Sequence, residues 1–385
     1  MNHGEVHAWH YQRRRPVKVR WRDGVITSIR TTRADPREDV WIAPALFDPQ
    51  INGFGGVDFQ QDGIDVEQLQ LSIRKLRAAG CGRFLLTLVT DEWSKLTRRL
   101  RHLIGLRRRS LELRDAIAGW HVEGPFLSSE SGFHGAHNPA FMIDPTLKRI
   151  RELRGIVGSQ PLLLTMAPER RGALEAIRLA RRLGIMVSLG HTNASAECLA
   201  QAVKAGATGF THLGNACPQM LDRHDNILWR VLDTPGLNVS LIADGIHVSP
   251  GLFRLVHRVL SGASIFYTTD AMAAAGSPPG RYTIGGIEVE VGEDGIVRQP
   301  GKTNFAGSSL RPIDGLFSAA KMLDQPWQKV WDGFSGRAAQ FLGLNYGLHP
   351  GSPAVFCLLR FETDSADPSV QTVVNGKMIA GSISG

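Results

Sequence analysis

The hydrophobic pattern along the middle of the chain alternates between short apolar runs and amphipathic stretches. Most of the apolar runs are nearly continuous, which is typical of parallel strands buried on both faces. The stretches between them, such as residues 172–184, repeat their apolar positions with the period of a helix, and Gly184 is a typical helix-ending residue. Eight apolar runs follow one another: WIAPALFDPQ, CGRFLLTLVT, IAGWHVE, PLLLTMA, IMVSLGH, TGFTHL, LNVSLIAD and SIFYTTDA. Eight such units favour a closed (β/α)8 barrel of the α/β class over an open sheet.

Both ends of the chain show a different pattern, in which short alternating strands are joined by tight turns. Asp23-Gly24 separates VKVRW from VITSIR, and Asn375-Gly376 lies within the strand-like sequence near the C-terminus. Such dipeptides between alternating runs are strong hairpin signals. The pattern predicts a small β-sandwich domain formed by residues 1–43 and 347–385, a barrel over residues 44–346, and a β-rich insertion near residues 276–304.

The composition is that of an ordinary globular protein, with 43% hydrophobic and 21% charged residues in a chain of 385. No apolar run approaches the roughly 18 residues that a membrane-spanning helix needs. Residues 1–20 lack the apolar core of a signal peptide. The four cysteines are scattered and form no CxxC pair, which favours reduced thiols over a disulfide or a cysteine–metal site. We therefore expect a cytoplasmic protein.

The chain carries a formal charge of +8, and much of the excess lies in arginine clusters at residues 13–15, 98–101 and 107–109. A nucleic-acid-binding surface is one interpretation. Solvated helix faces and an N-terminal arm are the other, which we favour because no aromatic residues are interleaved with the arginines. We expect no nucleic-acid or membrane partner. A basic balance also helps to steer an anionic substrate.

Polar residues follow most of the predicted barrel strands at the point where each strand ends. In a (β/α)8 barrel these points converge on the C-terminal face, where active sites form. The residues concerned are Gln50, Asn52, Glu123, His191, His212, Asp244, His247 and Asp270.

Taken singly, each of these residues has an ordinary structural explanation. A histidine after a strand is more often a hydrogen-bonded loop residue than a ligand, and Glu123 could simply cap the segment after it. Taken together, Glu123, His191 and His212 supply one carboxylate and two imidazoles, which is the usual ligand set of a catalytic zinc site with an open position. Asp270 could then accept a proton from metal-bound water.

Eight motifs in these regions resemble a known family when they are taken in order. They are FDPQINGFGGVDF, HVEGPFLS, GAHNP, SLGHTNAS, THLGNA, LIADGIHV, TTDAMAAAG and AGSSL. Together they resemble the landmarks of the N-acetylglucosamine-6-phosphate deacetylases of the amidohydrolase superfamily. The likeness covers residues 43–310 and continues weakly in TVVNGK.

The resemblance implies a metal-dependent (β/α)8 hydrolase with a small β domain made from both termini. It implies metal ligands at Glu123, His191 and His212, and catalytic groups at Asp270 and His137. It also implies substrate-binding positions at His137, Asn215, Ala216, Arg223 and His247, with Arg223 donated by the neighbouring subunit of a homodimer.

Gln50 and Asn52 occupy the positions where the superfamily often places a metal-binding HxH pair. Neutral amides are poor ligands for Zn²⁺. We therefore expect one divalent metal ion per subunit, with zinc first and iron, manganese and cobalt as alternatives.

The chain departs from the family pattern mainly around the expected substrate. Gly214 replaces the usual aromatic residue after THL, Cys217 occupies the next apolar position, and His134 is an additional histidine for which a surface position is favoured. Candidate donors to an anionic group are Arg223, His224, His247 and Arg281.

The function expected from the resemblance is hydrolysis of the N-acetyl group of N-acetylglucosamine 6-phosphate, which releases acetate and glucosamine 6-phosphate. Three alternatives stay open: a deacylase of another N-acyl amino sugar, a cyclic amide hydrolase, and a non-catalytic barrel. The cyclic amide enzymes commonly use a carboxylated lysine that bridges two metals, whereas the fourth strand here ends in Met166 and Ala167.

Overall fold

The computed structural model of the chain describes residues 3–301, 305–361 and 368–379. The first four strands belong to a small sheet. They are β1 (His3–His10), β2 (Pro16–Arg22), β3 (Val25–Thr31) and β4 (Val40–Pro44).

The next part of the chain alternates strands with helices. Its elements are β5 (Leu46–Ile51), β6 (Gly53–Phe54), β7 (Val57–Asp58), α1 (Val66–Ala78), β8 (Cys81–Val89), α2 (Trp93–Arg109), α3 (Leu111–Ala116), β9 (Ile117–Glu123), α4 (Leu147–Val157), β10 (Leu162–Met166), α5 (Ala173–Arg182), β11 (Met186–Leu189), α6 (Ala196–Ala205), β12 (Gly209–Phe210), α7 (Ile227–Leu232), β13 (Asn238–Ile242), α8 (Pro250–Val259) and β14 (Ile265–Thr268).

The remaining elements complete an insertion, the last barrel helices and the small sheet. They are β15 (Gly280–Ile284), β16 (Ile287–Val291), β17 (Val297–Arg298), α9 (Pro312–Leu323), α10 (Trp327–Val330), α11 (Gly336–Phe341), β18 (Phe356–Arg360), β19 (Ser369–Val374) and β20 (Lys377–Met378). Short 3₁₀ turns lie at Pro139–Phe141, Gly262–Ser264 and Trp331–Phe334.

The eight barrel strands form one parallel sheet in the order β14-β13-β12-β11-β10-β9-β8-β5. Side chains close the seam between β14 and β5. Asp48 accepts hydrogen bonds from the hydroxyls of Thr268 and Thr269, both at 2.6 Å, and from the Thr269 amide at 3.0 Å. Ile51 pairs with Ala271 just beyond these contacts. The structure thus confirms the predicted (β/α)8 barrel.

Local sequence explains where the helices begin. Asp65 accepts a hydrogen bond from the Gln68 amide, and the Gln68 side chain accepts one from the Asp65 amide, which forms a capping box at α1. Ser195 caps α6 in a similar way, through the Cys198 amide. The helices pack their apolar faces on the outside of the parallel strands, so both faces of the barrel sheet are buried.

Strands from both ends of the chain form a seven-stranded sheet in the order β20-β19-β18-β4-β1-β2-β3. The sheet curls around an apolar core. As a result, the Asp23–Gly24 turn at one edge of the sheet lies against the Asn375–Gly376 turn at the other edge. The φ angles of Asp23 and Asn375 are 49° and 52°, and type I′ hairpin turns require such positive values. This is the small β-sandwich predicted from the sequence.

One predicted strand is in fact two. WIAPALFDPQ divides at Ala45: β4 pairs with β1 and β18 in the small sheet, whereas β5 begins the barrel. The apolar run is continuous because both strands are buried, so the pattern alone did not mark the break.

Strands β15, β16 and β17 form a three-stranded antiparallel sheet within the predicted insertion. The domain and insertion boundaries themselves stay predictions. Their portions at residues 1–2, 302–304, 362–367 and 380–385 lie outside the described residues. All four cysteines carry free thiols. Within the described residues, no helix has the length and apolar character needed to cross a bilayer.

Candidate active site

The polar residues singled out at the strand ends lie at the C-terminal face of the barrel. Glu123 is the last residue of β9, and His191, His212 and Asp270 each follow their strand by two residues. Gln50 is the fifth residue of the six in β5. The parallel arrangement of the strands brings these residues to one end of the barrel.

Glu123, His191 and His212 form a compact buried group. One ligand atom from each lies within 4.8 Å of the others. The Nε2 atoms of His212 and His191 are 3.0 and 3.5 Å from Glu123 Oε1. All three residues are buried, with exposed fractions of 2%, 6% and 3% in chain order.

Three residues of this site adopt a backbone conformation that is rare outside glycine. The φ angles of His191, His212 and Asp270 are 51°, 34° and 52°. Side chains in this left-handed region are strained, and such strain concentrates at functional sites, where the surrounding structure holds it in place.

The donor atoms of this group fit a bound metal ion. His191 Nδ1 donates to the Phe133 carbonyl at 3.2 Å, which leaves Nε2 on the Glu123 side without a hydrogen-bond partner. His212 Nδ1 is also buried without a partner. A histidine ligand whose other nitrogen is held by a carbonyl is the usual arrangement at metal sites. One carboxylate and two imidazoles match the ligand set of catalytic zinc centres.

Two amide side chains hold Asp270 beside this group. Its Oδ1 atom accepts hydrogen bonds from Gln50 Nε2 at 2.9 Å and from Asn52 Nδ2 at 2.7 Å. The Gln50 amide also donates to Glu123 Oε1 at 3.0 Å. The Gln50 amide therefore bridges two carboxylates that would otherwise repel each other, and Asn52 binds Asp270 alone. Both amides lie at the positions where a second metal would need histidines.

The electrostatic environment shifts the pKa values of the four residues in different directions. Burial raises the pKa of Asp270 to about 6, and the nearby charge of Glu123 adds to this shift. Burial opposes ionisation of Glu123 too, but the three neighbouring imidazoles outweigh it and hold its pKa well below the usual range. Burial lowers the pKa of His191 to about 4, whereas the hydrogen bond to Glu123 overcomes burial and raises the pKa of His212. The site thus separates a permanently ionised carboxylate from one able to gain a proton.

His137 lies on the loop after β9 and faces the same group. Its Nε2 atom is 3.6 Å from Glu123 Oε2, and its ring centre is 4.4 Å from that of His191. The Thr90 amide donates to His137 Nδ1 at 3.4 Å, so the ring proton lies on Nε2. His137 can therefore donate a hydrogen bond into the cleft.

Curated proteins and solved structures resemble this chain. No family model matches it. The N-acetylglucosamine-6-phosphate deacetylase of Bos taurus is 35% identical over 284 residues, which cover 71% of this chain and 67% of the relative. The N-acetylgalactosamine-6-phosphate deacetylase of Escherichia coli O157:H7 is 32% identical over 295 residues, which cover 76% of each protein.

Among solved structures, a variant of the N-acetyl-D-glucosamine-6-phosphate deacetylase from Mycobacterium smegmatis, in complex with N-acetyl-D-glucosamine-6-phosphate, superposes with a TM-score of 0.87. It is 25% identical, and the match covers 99% of this chain and 100% of that one. The chain belongs to the N-acetylglucosamine-6-phosphate deacetylase family. This family consists of metal-dependent hydrolases of the amidohydrolase superfamily, as the eight sequence motifs indicated.

The substrate-side residues implied by the family resemblance fall into two groups. Asn215 and Ala216 lie in the loop after β12 and close to the metal-type residues. The Asn215 amide and side chain both donate to the His212 carbonyl, and Ala216 and His191 both lie beside Gly135. Arg223 lies further along the same loop, where its side chain is exposed and donates to His224 at 3.0 Å.

Two other candidates differ in their surroundings. Arg281 lies on β15, is 73% exposed and pairs with Glu288, so the structure does not bring it to the metal-type residues. His134 is partly buried rather than fully on the surface, and its Nδ1 atom is enclosed without a partner. The surface position favoured for His134 stays a prediction.

Sequence reasoning did not identify several groups that hold the site of this chain together. Asp48 fixes the seam beneath Gln50, the Phe133 carbonyl orients His191, and Gly53 lets two loops meet. A Cβ atom on Gly53 would lie 2.5 Å from the Val57 carbonyl oxygen. The FDPQINGFGG motif contained Asp48 and Gly53, but a backbone carbonyl leaves no trace in a sequence.

Proposed function

We propose that the chain hydrolyses the acetamide of N-acetylglucosamine 6-phosphate to glucosamine 6-phosphate and acetate. The observation that carries this proposal is the position of Glu123, His191 and His212 beside Asp270, which two amides hold in place. This group lies at the C-terminal face of the barrel, in a chain that belongs to the deacetylase family. The named relatives act on N-acetyl amino sugar phosphates. A small anionic sugar is therefore the proposed substrate.

Glu123, His191 and His212 would hold one divalent ion. Such an ion supplies Lewis acidity, which polarises an amide carbonyl and acidifies a coordinated water. Zinc is the first choice because of the ligand set, and iron, manganese and cobalt accept the same ligands. One ion per chain is proposed, since Gln50 and Asn52 supply neutral amides, which are poor zinc ligands, and donate their N–H groups to Asp270.

Asp270 is the proposed general base and acid. The two amides bind its Oδ1 atom, so the other carboxylate oxygen is left to accept a proton from the attacking water. The same oxygen then returns that proton to the departing amine. A group that performs both steps near neutral pH works best with a pKa close to the working pH, and burial moves the pKa of Asp270 in that direction.

His137 is the proposed electrophilic partner. Its Nε2–H group points to the Glu123 side of the cleft and is positioned to stabilise negative charge that develops on the acetamide oxygen. Asn215, Ala216 and His247 are proposed to bind the sugar phosphate. Ala216 would do so through its backbone N–H group, whereas the backbone N–H group of Asn215 already donates to the His212 carbonyl.

We further propose a cytoplasmic homodimer in which Arg223 reaches the phosphate of the neighbouring subunit. The exposed side chain of Arg223 and the 90% exposed Met220 on the same loop support an intermolecular role. The four free thiols suit a reducing compartment. Light scattering of the purified chain tests the dimer, which a monomeric mass would contradict.

The matching galactosamine relative makes the C4 epimer a second candidate substrate. Acetate release from N-acetylglucosamine 6-phosphate, N-acetylgalactosamine 6-phosphate and both unphosphorylated sugars distinguishes the candidates. We expect the highest kcat/KM for N-acetylglucosamine 6-phosphate and at least about 100-fold less without the phosphate, because an unpaired anion site loses charged hydrogen bonds. Faster hydrolysis of the galactosamine isomer would reassign the substrate, and no acetate from any sugar would favour a non-catalytic barrel.

A further inference from the structure

Gln60 is a buried glutamine whose side chain replaces part of a barrel strand. Only 2% of the residue is exposed. Its Nε2 atom donates to the Thr87 carbonyl at 2.8 Å, and its Oε1 atom accepts the Val89 N–H group at 3.1 Å. One residue of a neighbouring parallel strand would bind the same carbonyl and the same N–H group of β8. The Gln60 amide therefore continues the hydrogen-bond ladder along β8.

Strand β5 leaves β8 close to its own end. The pairing of the two strands is irregular between Asp48 and Ile51, and Ile51 is the last residue of β5 paired with β8. The next residue, Asn52, turns toward the segment after β14, where its N–H group donates to the Ala271 carbonyl at 2.7 Å. The buried backbone groups of β8 then need another partner, because an unpaired buried donor or acceptor is costly. Gln60 is that partner.

The same amide also reaches Asn52. Gln60 Nε2 lies 3.3 Å from the Asn52 carbonyl oxygen, which also accepts the Phe59 N–H group at 3.0 Å. The Asn52 side chain donates to Asp270 Oδ1 at 2.7 Å, whereas its own Oδ1 atom is buried and has no hydrogen-bond partner among the described residues. The position of the Asn52 backbone therefore determines where its amide meets Asp270.

Gln60 is itself held in one position. Asp58 Oδ1 accepts the Gln60 N–H group at 2.9 Å, and Asp58 Oδ2 accepts the N–H group of Gly285, in the turn between β15 and β16, at 3.2 Å. Asp58 is 5% exposed. Both the backbone and the side chain of Gln60 are thus fixed, which a residue needs if it is to fix another one.

We infer that Gln60 is a positioning residue that joins the end of β8 to Asn52 and so aligns the Asn52 amide with Asp270. This inference rests on the proposed function, in which Asp270 transfers the proton. Gln60 therefore acts on the chemical step through Asn52, and not on substrate binding. Its loss should lower kcat and leave KM nearly unchanged.

A purely structural role for Gln60 makes a different prediction, because it would lower the Tm and leave the kcat of the folded protein unchanged. Gln160 offers a matched control. It lies just before β10, at the end of the barrel opposite to Asp270. Its Oε1 atom accepts the Trp120 Nε1–H group at 3.1 Å, and its Nε2 atom donates to the Val157 carbonyl at 3.1 Å.

The test compares the wild type with Gln60→Met, Gln160→Met, Asn52→Ala and the double variant of Gln60→Met with Asn52→Ala. Methionine fills a similar volume but cannot form the amide hydrogen bonds. We expect Gln60→Met to lower kcat for N-acetylglucosamine 6-phosphate by about 5- to 30-fold, since a misplacement of about 1 Å can cost about 100-fold. The KM should change by less than about threefold. Gln160→Met should lower the Tm and leave kcat unchanged.

The double variant shows whether Gln60 acts through Asn52. If it does, the double variant should be no more than about twofold slower than Asn52→Ala alone. Losses that multiply, or a folded Gln60→Met protein with wild-type kcat, would overturn the inference.

Gln60→Asn provides a second variant in case the methionine protein does not fold. Its amide keeps a polar group in the core but is one methylene too short to span from Val89 to Asn52, so kcat should again fall. A wild-type kcat in this variant contradicts the inference. A wild type that releases no acetate contradicts the proposed function and the inference together, whereas an active wild type with equally active Gln60 variants contradicts the inference alone.

Discussion

At the scale of single residues, the site depends on the contrast between two carboxylates. Glu123 is surrounded by imidazoles and stays ionised, whereas Asp270 receives hydrogen bonds from neutral amides and is easier to protonate. Environment, not residue type, thus assigns one acidic side chain to ligand binding and the other to proton transfer.

Replacing Asp270 with asparagine tests this division directly. The amide cannot accept a proton from water, so kcat should fall by about 10²- to 10⁴-fold. Metal content should stay at the wild-type level, because Glu123, His191 and His212 are unchanged. Acetate release and elemental analysis on the same preparation provide both readouts. A variant with near-normal turnover would show that another group is the base.

The sequence identified the residues at the strand ends but not their backbone conformation. Glu123, His191 and His212 could be chosen because the carboxyl ends of parallel strands converge. The positive φ angles of His191 and His212 could not be predicted, because a histidine after a strand rarely adopts that conformation and no Asp-Gly or Asn-Gly turn marks these positions. The hydrogen bonds from Gln50 to the carboxylates of Glu123 and Asp270 could not be predicted either, because the three residues are far apart along the chain.

At the scale of elements, side-chain hydrogen bonds close the barrel between β5 and β14. Asp48 on β5 binds the hydroxyls of Thr268 on β14 and of Thr269 beyond it, and these bonds hold the two edge strands of the barrel together. Because Gln50 and Asp270 lie two residues or fewer beyond these contacts, the seam also sets the position of the site.

The small sheet contains a turn that is held by a buried histidine. His10 is buried at the end of β1, and its Nδ1 atom accepts the backbone N–H groups of Gln12 and Arg13 at 3.2 Å. Burial lowers the pKa of His10 to about 4. The unfolded chain binds a proton below about pH 6.5, whereas the folded chain resists it down to about 4. Stability should therefore be lost as the pH falls through this window, by about 3 kcal/mol.

His10→Asn should reduce this acid-induced loss, because asparagine can accept the same N–H groups but does not titrate. The expected outcome is a smaller shift in the urea midpoint between pH 7 and pH 4.5 than in the wild type. His3→Asn is the matched control, since His3 is exposed on the same strand. An unchanged pH dependence in His10→Asn would show that other groups cause the acid sensitivity.

Strand boundaries were predicted correctly where turn residues interrupt the apolar pattern, and they were missed where the apolar pattern continues from one strand into the next. The Asp23-Gly24 and Asn375-Gly376 hairpins were predicted because their turn chemistry is specific. The division between β4 and β5 was missed, since both strands are apolar and Pro44, directly before the break at Ala45, was not taken as a boundary. Tertiary pairing, rather than local sequence, separates the two strands.

At the scale of the whole molecule, the barrel and the small β domain were predictable because many independent signals agree. Eight apolar runs, polar residues at their ends and ordered motifs all indicated one architecture. The surroundings of Arg223, Arg281 and His134 were not predictable, because they depend on how loops fold over the barrel. At this scale the central claim is therefore that one metal ion binds at the strand ends.

The most direct test of that claim is metal titration of the chelated chain, with acetate release from N-acetylglucosamine 6-phosphate as the readout. We predict that the metal-free protein is inactive and that activity rises linearly with added Zn²⁺ to one equivalent per chain, then stays constant. His212→Ala should recover no activity over the same range, since it lacks one of three ligands. Full activity in the metal-free chain, or a requirement for two equivalents, would contradict a single-metal site at Glu123, His191 and His212.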